Sequence, residues 1–238
     1  MILGMGKSLK NVYHYIVGRF CSSNRNDFLK KMSIREFSKS ASIYDSPGKY
    51  RMVKDDYEDV ISAVCKVKFG SLLDCGCGTG NLICLLANKG LDVNLLGVDI
   101  TPAMIEVAKE KNIKSARFYV CDCENLDTVI KEKVDVVTCV HSFHHFPNPG
   151  AFLDSVKTIL AEDGRLIIRD NACPNAISYW VKNYISIPFR LNLLHNLGDV
   201  HVYSKKEMKR LGVEHGFKIE ELSVIKDDTL HCVMRKMI

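Results

Sequence analysis

Three glycines at alternate positions, in Leu72-Leu73-Asp74-Cys75-Gly76-Cys77-Gly78-Thr79-Gly80, constrain this chain more than any other feature. They follow a short apolar run, Ser71–Cys75, and precede a stretch of helical spacing that stops at Gly90. Glycines between a strand and a helix allow tight turns and close approach of a ligand to the backbone. The helix N-terminus beyond presents unpaired N–H groups and a partial positive charge, which suit a carboxylate or phosphate. Two common ligand loops are excluded. The G-x-G-x-x-G pattern needs glycine at 81 or 83, where Asn81 and Ile83 stand. The phosphate loop fails because no lysine and hydroxyl follow the last glycine.

From residue 71 onward strand and helix patterns alternate. Asn94–Ile100, Ala116–Cys121, the almost wholly apolar Val134–Val140 and Arg165–Arg169 read as strands. Thr101-Pro102 and Asn148-Pro149 each pair a cap residue with proline at the first helical position. Ser204-Lys205-Lys206-Glu207 is a capping box. Phe217–Val224 and Thr229–Met237 read as an antiparallel hairpin at the sheet edge. The pattern predicts an α/β fold: a Rossmann-like, mostly parallel seven-stranded sheet with an antiparallel edge strand and helices on both faces. Residues 1–43 form a basic helical arm ahead of a domain spanning 44–238. Residues 171–203, rich in aromatics, form a cap insertion expected to cover a site.

Gly80 is followed, nineteen positions on, by Asp99 in Gly-Val-Asp-Ile, and a further acid, Asp122, ends the third strand. A carboxylate after the second strand suits a ribose diol. The D-x-G-x-G-x-G loop with these acids resembles the class I methyltransferases. Over roughly residues 44–224 the chain is most similar to their type 11 branch, which includes ubiquinone and menaquinone biosynthesis enzymes. Tyr44-Asp45, His144-His145-Phe146 and Gly216-Phe217-Lys218 carry that likeness. The resemblance implies S-adenosyl-L-methionine as cofactor and S-adenosyl-L-homocysteine as product. It assigns Asp74, Gly76, Gly78, Gly80, Asp99, Ile100, Met104, Asp122, Cys123, Val140 and Tyr44 to cofactor binding.

Methyl transfer from a sulfonium mainly requires alignment, and a base only where the acceptor must lose a proton. His141-Ser142-Phe143-His144-His145-Phe146-Pro147 places three imidazoles near the transferred methyl. His145 or His144 is the candidate base, with structural packing as the other reading of both. Asp170, His201 and Tyr203 are further candidates for the acceptor pocket.

The expected acceptor is a small molecule. Residues 1–40 carry eight Lys and Arg against two acidic residues, while the remainder is near neutral. That arm keeps an RNA or protein methyltransferase open as an alternative, beside a non-catalytic cofactor-binding protein. Val140-His141-Ser142-Phe143 lacks the Asn/Asp-Pro-Pro-aromatic motif of amino-methylating nucleic-acid enzymes, so a nucleic-acid partner is not expected. Cys173 remains as a nucleophile candidate for cytosine methylation. The sequence holds no apolar stretch long enough for a membrane span and no secretory leader pattern. A cytoplasmic protein with ten reduced cysteines follows. The Cys-x-Cys pairs Cys75/Cys77 and Cys121/Cys123 are spaced too closely for zinc knuckles, so no metal site is expected. The oligomeric state is not encoded in these patterns.

Overall fold

The computed structural model describes residues 22–173, 175–187, 198–225 and 228–237. The first half of the basic arm, including Lys7, Lys10 and Arg19, lies outside the described residues, as do Pro174, Pro188, Phe189, Lys226 and Asp227.

Helix α1 (Ser22–Ser40) leads through a short 3-10 turn to α2 (Pro47–Val64). Then come β1 (Ser71–Cys75), α3 (Asn81–Ala87), β2 (Asn94–Asp99), α4 (Pro102–Glu110), β3 (Ala116–Val120) and β4 (Val134–Val140). The chain continues through α5 (Pro149–Ile159), β5 (Leu160–Asn171), α6 (Ala176–Trp180), α7 (Lys205–Glu214), β6 (Phe217–Ile225) and β7 (Thr229–Lys236).

The seven strands form one sheet in the order β3-β2-β1-β4-β5-β7-β6. Strands β1 to β5 are mutually parallel. The hairpin β6–β7 closes one side, with β7 antiparallel to both β5 and β6. The reversed strand therefore lies second from the edge. Strand β5 begins earlier than the expected Arg165, because Leu160 already pairs with Val134 across a register shift.

Alternation along β1 explains the layering. Leu72 joins a core cluster with Val60, Ile83 and Ile105 from α2, α3 and α4. Leu73 joins the opposite cluster with Phe152, Val156 and Met208 from α5 and α7. A sheet buried on both faces leaves its strand tips as the accessible place for a ligand. Here β1 pairs with β2 on one side and β4 on the other. The order reverses at that point, and the crevice beyond the carboxyl ends is where such sheets bind ligands. Among the described residues no helix is long and apolar enough to cross a membrane.

Candidate functional site

The glycine loop forms the floor of a cleft at this reversal. Gly76, Gly78 and Gly80 have φ of 69°, 52° and 76°, a region that favours glycine. The N–H groups of Gly76 and Cys77 donate to the Val98 carbonyl at 2.8 and 2.9 Å, fixing the loop to β2. Ser142 Oγ donates to the Gly76 carbonyl at 2.9 Å from the other side. A Cβ on Gly76 would lie 2.3 Å from that hydroxyl oxygen. Gly76 and Gly78 line the cleft. Gly80 instead starts α3 and packs on Phe118. Asp74 lies beneath the loop, 4% exposed, accepting from Thr138 Oγ1 at 2.7 Å. Burial, reinforced by the Asp99 charge, pushes its carboxyl up to about 7.

Asp99 at the tip of β2 lines the cleft. Its Oδ2 accepts from Gly78 N–H at 3.0 Å and its Oδ1 from Thr101 N–H at 2.8 Å. Burial raises its pKa against the lowering effect of these N–H groups. Thr101 opens α4 by position, yet its side chain makes no capping bond. Ile100 and Met104 continue the wall, as do Asp122 and Cys123 at the end of β3. Asp122 Oδ1 accepts from Glu124 N–H at 3.0 Å. Val140, 7% exposed, packs into the core beside Leu72 and Ile83, outside the lining.

The described part of the basic arm supplies the opposite wall. Lys30, Ser33 and Phe37 of α1 line the cleft together with Tyr44. Lys30 Nζ donates to Asp122 Oδ2 at 2.7 Å and to Glu124 Oε2 at 2.5 Å. Tyr44 has its phenol pKa raised by burial and then by the charges of Asp99 and Asp45. Asp45, just after the arm, fastens its own segment to the glycine loop and the start of α3. It accepts from Thr79 Oγ1 at 2.6 Å and Asn81 Nδ2 at 2.8 Å, and pairs with Lys111 at 2.9 Å. No sequence pattern marks Lys30 or the fastening role of Asp45, because both depend on long-range contacts.

The three imidazoles separate into different environments. His141 lines the cleft and has φ of 50°, unusual for a non-glycine residue. Its Nε2 is 2.8 Å from Asp56 Oδ2 of α2. Arg169, fully buried in β5, donates from Nε to Asp56 Oδ1 at 2.8 Å and from Nη2 to Asp59 at 2.6 Å. His144 is buried outside the cleft lining. Its Nδ1 stands 2.5 Å from Asp170 Oδ1 and its Nε2 3.5 Å from Asp199 Oδ1. Burial alone would lower its pKa, but Asp170 and Asp199 together lift it to about 10. His145 lines the cleft, with Nδ1 2.5 Å from the Gly198 carbonyl. Burial and then the neighbouring His144 charge lower its pKa to about 4.

The cap insertion contributes none of its described side chains to the cleft lining. Its aromatics Trp180 and Tyr184 are 56% and 53% exposed. His201 pairs with Glu207 at 3.1 Å, and Tyr203 packs 4.8 Å from Phe143 in the core. Asp170 is bound to His144 below the cleft. Cys173 is 3% exposed and burial raises its thiol pKa, the opposite of what a nucleophilic thiol needs.

Comparison with known proteins agrees with this fold. Among curated relatives, the chain is 28% identical to a demethylmenaquinone methyltransferase of Thermotoga maritima, over 73% of this chain and 78% of that one. It is 30% identical to an uncharacterized methyltransferase of Bacillus subtilis, YcgJ, over 58% and 54% of the two chains. It is also 30% identical to a malonyl-[acyl-carrier protein] O-methyltransferase of Acetivibrio thermocellus, over 58% and 48%. The matches thus span about half of each of these last two relatives. Among solved structures, a DhpI–SAH complex superposes with a TM-score of 0.67 at 16% identity, covering 88% of this chain and 97% of that one. A SAM-dependent methyltransferase from Aquifex aeolicus gives 0.63 at 18%, covering 84% and 98%. The [4+2]-cyclase SpnF gives 0.58 at 13%, covering 71% and 74%. At these identities the likeness establishes the fold, and the cyclase illustrates that one fold hosts different reactions. Residues 67–216 match the family described as Methyltransferase domain, and the chain belongs to that family.

Proposed function

We propose that this member of the methyltransferase domain family binds S-adenosyl-L-methionine in the cleft and passes its methyl group in line to a small-molecule acceptor, releasing S-adenosyl-L-homocysteine. The observation that carries the reading is the convergence of Gly76, Gly78, Asp99, Met104, Asp122 and Cys123 on one cleft at the β1/β4 reversal.

The residues present suit that cofactor. The glycine loop leaves no side chain at Gly76, where a Cβ would collide with Ser142. Asp99 uses one lone pair on each oxygen for Gly78 and Thr101 and keeps the others for a ribose diol. Asp122 and the Cys123 N–H are assigned to the adenine edge, with Ile100 and Met104 as apolar walls. Asp74 and Gly80 act from below, shaping the loop, and Val140 backs it from the core. Tyr44 and Phe37 close the side toward α1.

The bound cofactor would supply a methyl group already activated on a sulfonium. The chain's task is then to position the acceptor and exclude water. His145 lies on the acceptor side of this assignment. His144 supports it from the layer beneath, tied to Asp170 and close to Asp199.

Of the two relatives whose names give an acceptor, the demethylmenaquinone methyltransferase supports a small molecule, and the other is named for malonyl-[acyl-carrier protein]. The test is incubation with methyl-labelled cofactor and, separately, reduced demethylmenaquinone or malonyl-[acyl-carrier protein], followed by product identification. Calorimetry with S-adenosyl-L-homocysteine accompanies it. Binding with label transferred to either acceptor supports the reading. Absence of cofactor binding overturns it, and binding without transfer to these or other acceptors in a cell extract turns it toward a non-catalytic role.

A further inference from the structure

His144, His145 and Asp199 come from two segments far apart in sequence, yet they bring one ligand-type atom each to within 4.8 Å of one another. The backbone makes the meeting rigid. The N–H groups of Val200 and His201 both donate to the His144 carbonyl, at 2.9 and 3.1 Å. These two hydrogen bonds to one carbonyl clamp the segment before α7 onto the turn after β4.

The separations are informative. His144 Nε2 is 3.5 Å from Asp199 Oδ1, and His145 Nδ1 is 3.8 Å from the same oxygen. Both are long for hydrogen bonds. Ligands at about 2.0–2.2 Å from a zinc-class ion stand about 3.4 Å apart in a tetrahedron. The two separations to Asp199 thus fall near those of ligands that share one ion.

Asp170 supplies what metal-bound histidines usually have behind them, a carboxylate on the second ring nitrogen. Its Oδ1 lies 2.5 Å from His144 Nδ1 while its Oδ2 accepts the His144 backbone N–H at 2.9 Å. Asp170 is 1% exposed, so the ring is locked with Nε2 turned toward Asp199. Two carboxylates, Asp170 and Asp199, flank this one imidazole, on its Nδ1 and Nε2 sides.

We propose that His144, His145 and Asp199 bind one divalent transition-metal cation of the zinc class, with Asp170 orienting His144 from behind. Two imidazoles and one carboxylate favour zinc or cobalt over magnesium or calcium, which prefer oxygen ligands. His145 shares its Nδ1 with the Gly198 carbonyl and would release that contact on binding. The fourth position is left for water or an oxygen of a bound molecule. Because His145 lines the cleft, the cation sits at its margin and can polarise an oxygen-bearing acceptor there. Cysteine spacing gives no sign of such a site, because its ligands are imidazoles and a carboxylate joined only by the fold. Cation binding itself does not rest on the methyl-transfer reading.

The test uses the full chain, stripped with chelator and titrated with Co²⁺ alone. One equivalent should bind with the weak visible bands of nitrogen and oxygen coordination, and without thiolate-to-cobalt charge transfer in the near ultraviolet. Asp199→Asn and His145→Gln should each weaken binding at least about tenfold, as should Asp170→Asn. Thermal melts identify any variant that fails to fold, and the partly exposed Asp199→Asn keeps the test decisive if a buried variant does. Absence of saturable binding overturns the proposal. So does a thiolate charge-transfer band, which would place the metal on cysteines, or unchanged affinity in folded Asp199→Asn and His145→Gln. None of these readouts involves methyl transfer, so failure here and failure of the catalytic reading are separate results.

Discussion

Lys30 holds Asp122 across 92 positions of sequence, with Nζ 2.7 Å from Oδ2, and reaches Glu124 at the same time. The pair links the helix ahead of the domain to the strand tip assigned to the adenine ring. The basic arm therefore does more than present charge to solvent: its described helix forms one wall of the cleft. Separating α1 from that strand tip would break both Lys30 contacts.

Replacing Lys30 with methionine should loosen this wall without removing a cofactor ligand. The pair is partly exposed, so solvent screening limits its worth to about 1 kcal/mol or less. We expect S-adenosyl-L-homocysteine to dissociate about fivefold faster in stopped-flow measurements, and the melting temperature to fall by about 2–4 °C. High salt should narrow the difference between variant and parent. An unchanged dissociation rate would leave α1 as packing alone.

Asp99→Asn probes the ribose assignment. The amide retains one acceptor oxygen and cannot serve both Gly78 and Thr101 N–H groups. It also loses the charge that strengthens bonds to ribose hydroxyls, each worth about 1.5–3 kcal/mol. Calorimetry should show S-adenosyl-L-homocysteine affinity reduced about 10–100-fold, with a melting temperature lowered by only a few degrees. Affinity within twofold of the parent would remove Asp99 from the cofactor contacts.

Gly76→Ala and Gly90→Ala separate backbone strain from steric fit. Both positions have nearly the same φ, 69° and 68°, so the left-handed penalty of about 1–2 kcal/mol is shared. A Cβ at Gly90 meets nothing within 4 Å, whereas at Gly76 it lies 2.3 Å from Ser142 Oγ. Gly76→Ala should therefore melt several degrees below Gly90→Ala and lose S-adenosyl-L-homocysteine binding. Adding Ser142→Gly should restore part of that stability. Equal melting temperatures for the two single variants would show that the loop yields to the extra methyl group.

Much of this architecture is legible in local sequence patterns. Ser71–Cys75 and Val134–Val140 are strands over the expected residues, since short apolar runs between turn signals have few alternatives. Asn148 and Ser204 cap their helices as expected, because a side chain reaching its own backbone is a local event. Thr101 is not readable in this way. The Asp99 carboxylate accepts its N–H and its own side chain makes no capping bond. The position of β7 between β5 and β6 is hidden as well, because either strand of a hairpin can join the sheet. In the site, the glycine loop and the acids follow their strand tips, which sequence can locate. The pairings Lys30–Asp122, His141–Asp56 and His144–Asp199 join segments whose meeting depends on the whole fold. The same dependence sends the cap aromatics Trp180 and Tyr184 outward, although their composition suits a lining.

Asp74 gives the fold a pH dependence that one substitution can isolate. Its carboxyl is buried under the glycine loop with Thr138 as partner, and its pKa is pushed up from 3.8 to about 7. A carboxyl with a raised folded-state pKa holds its proton more tightly in the native protein than in the unfolded chain. The resulting stability is fully present below the unfolded pKa and is lost as pH rises through about 7. A shift of this size corresponds to roughly 4 kcal/mol between those limits, as an order of magnitude. Asp74→Asn keeps an oxygen for Thr138 and cannot ionise. The variant should melt close to the parent at about pH 3.5, below the unfolded-state pKa, and progressively above it as pH rises to 8, where the parent must bury a charge. Scanning calorimetry across that window checks the claim. Parallel melting curves for the two proteins from pH 5 to 8 would mean that Asp74 keeps an ordinary carboxylate pKa and that the loop rests on a charged residue.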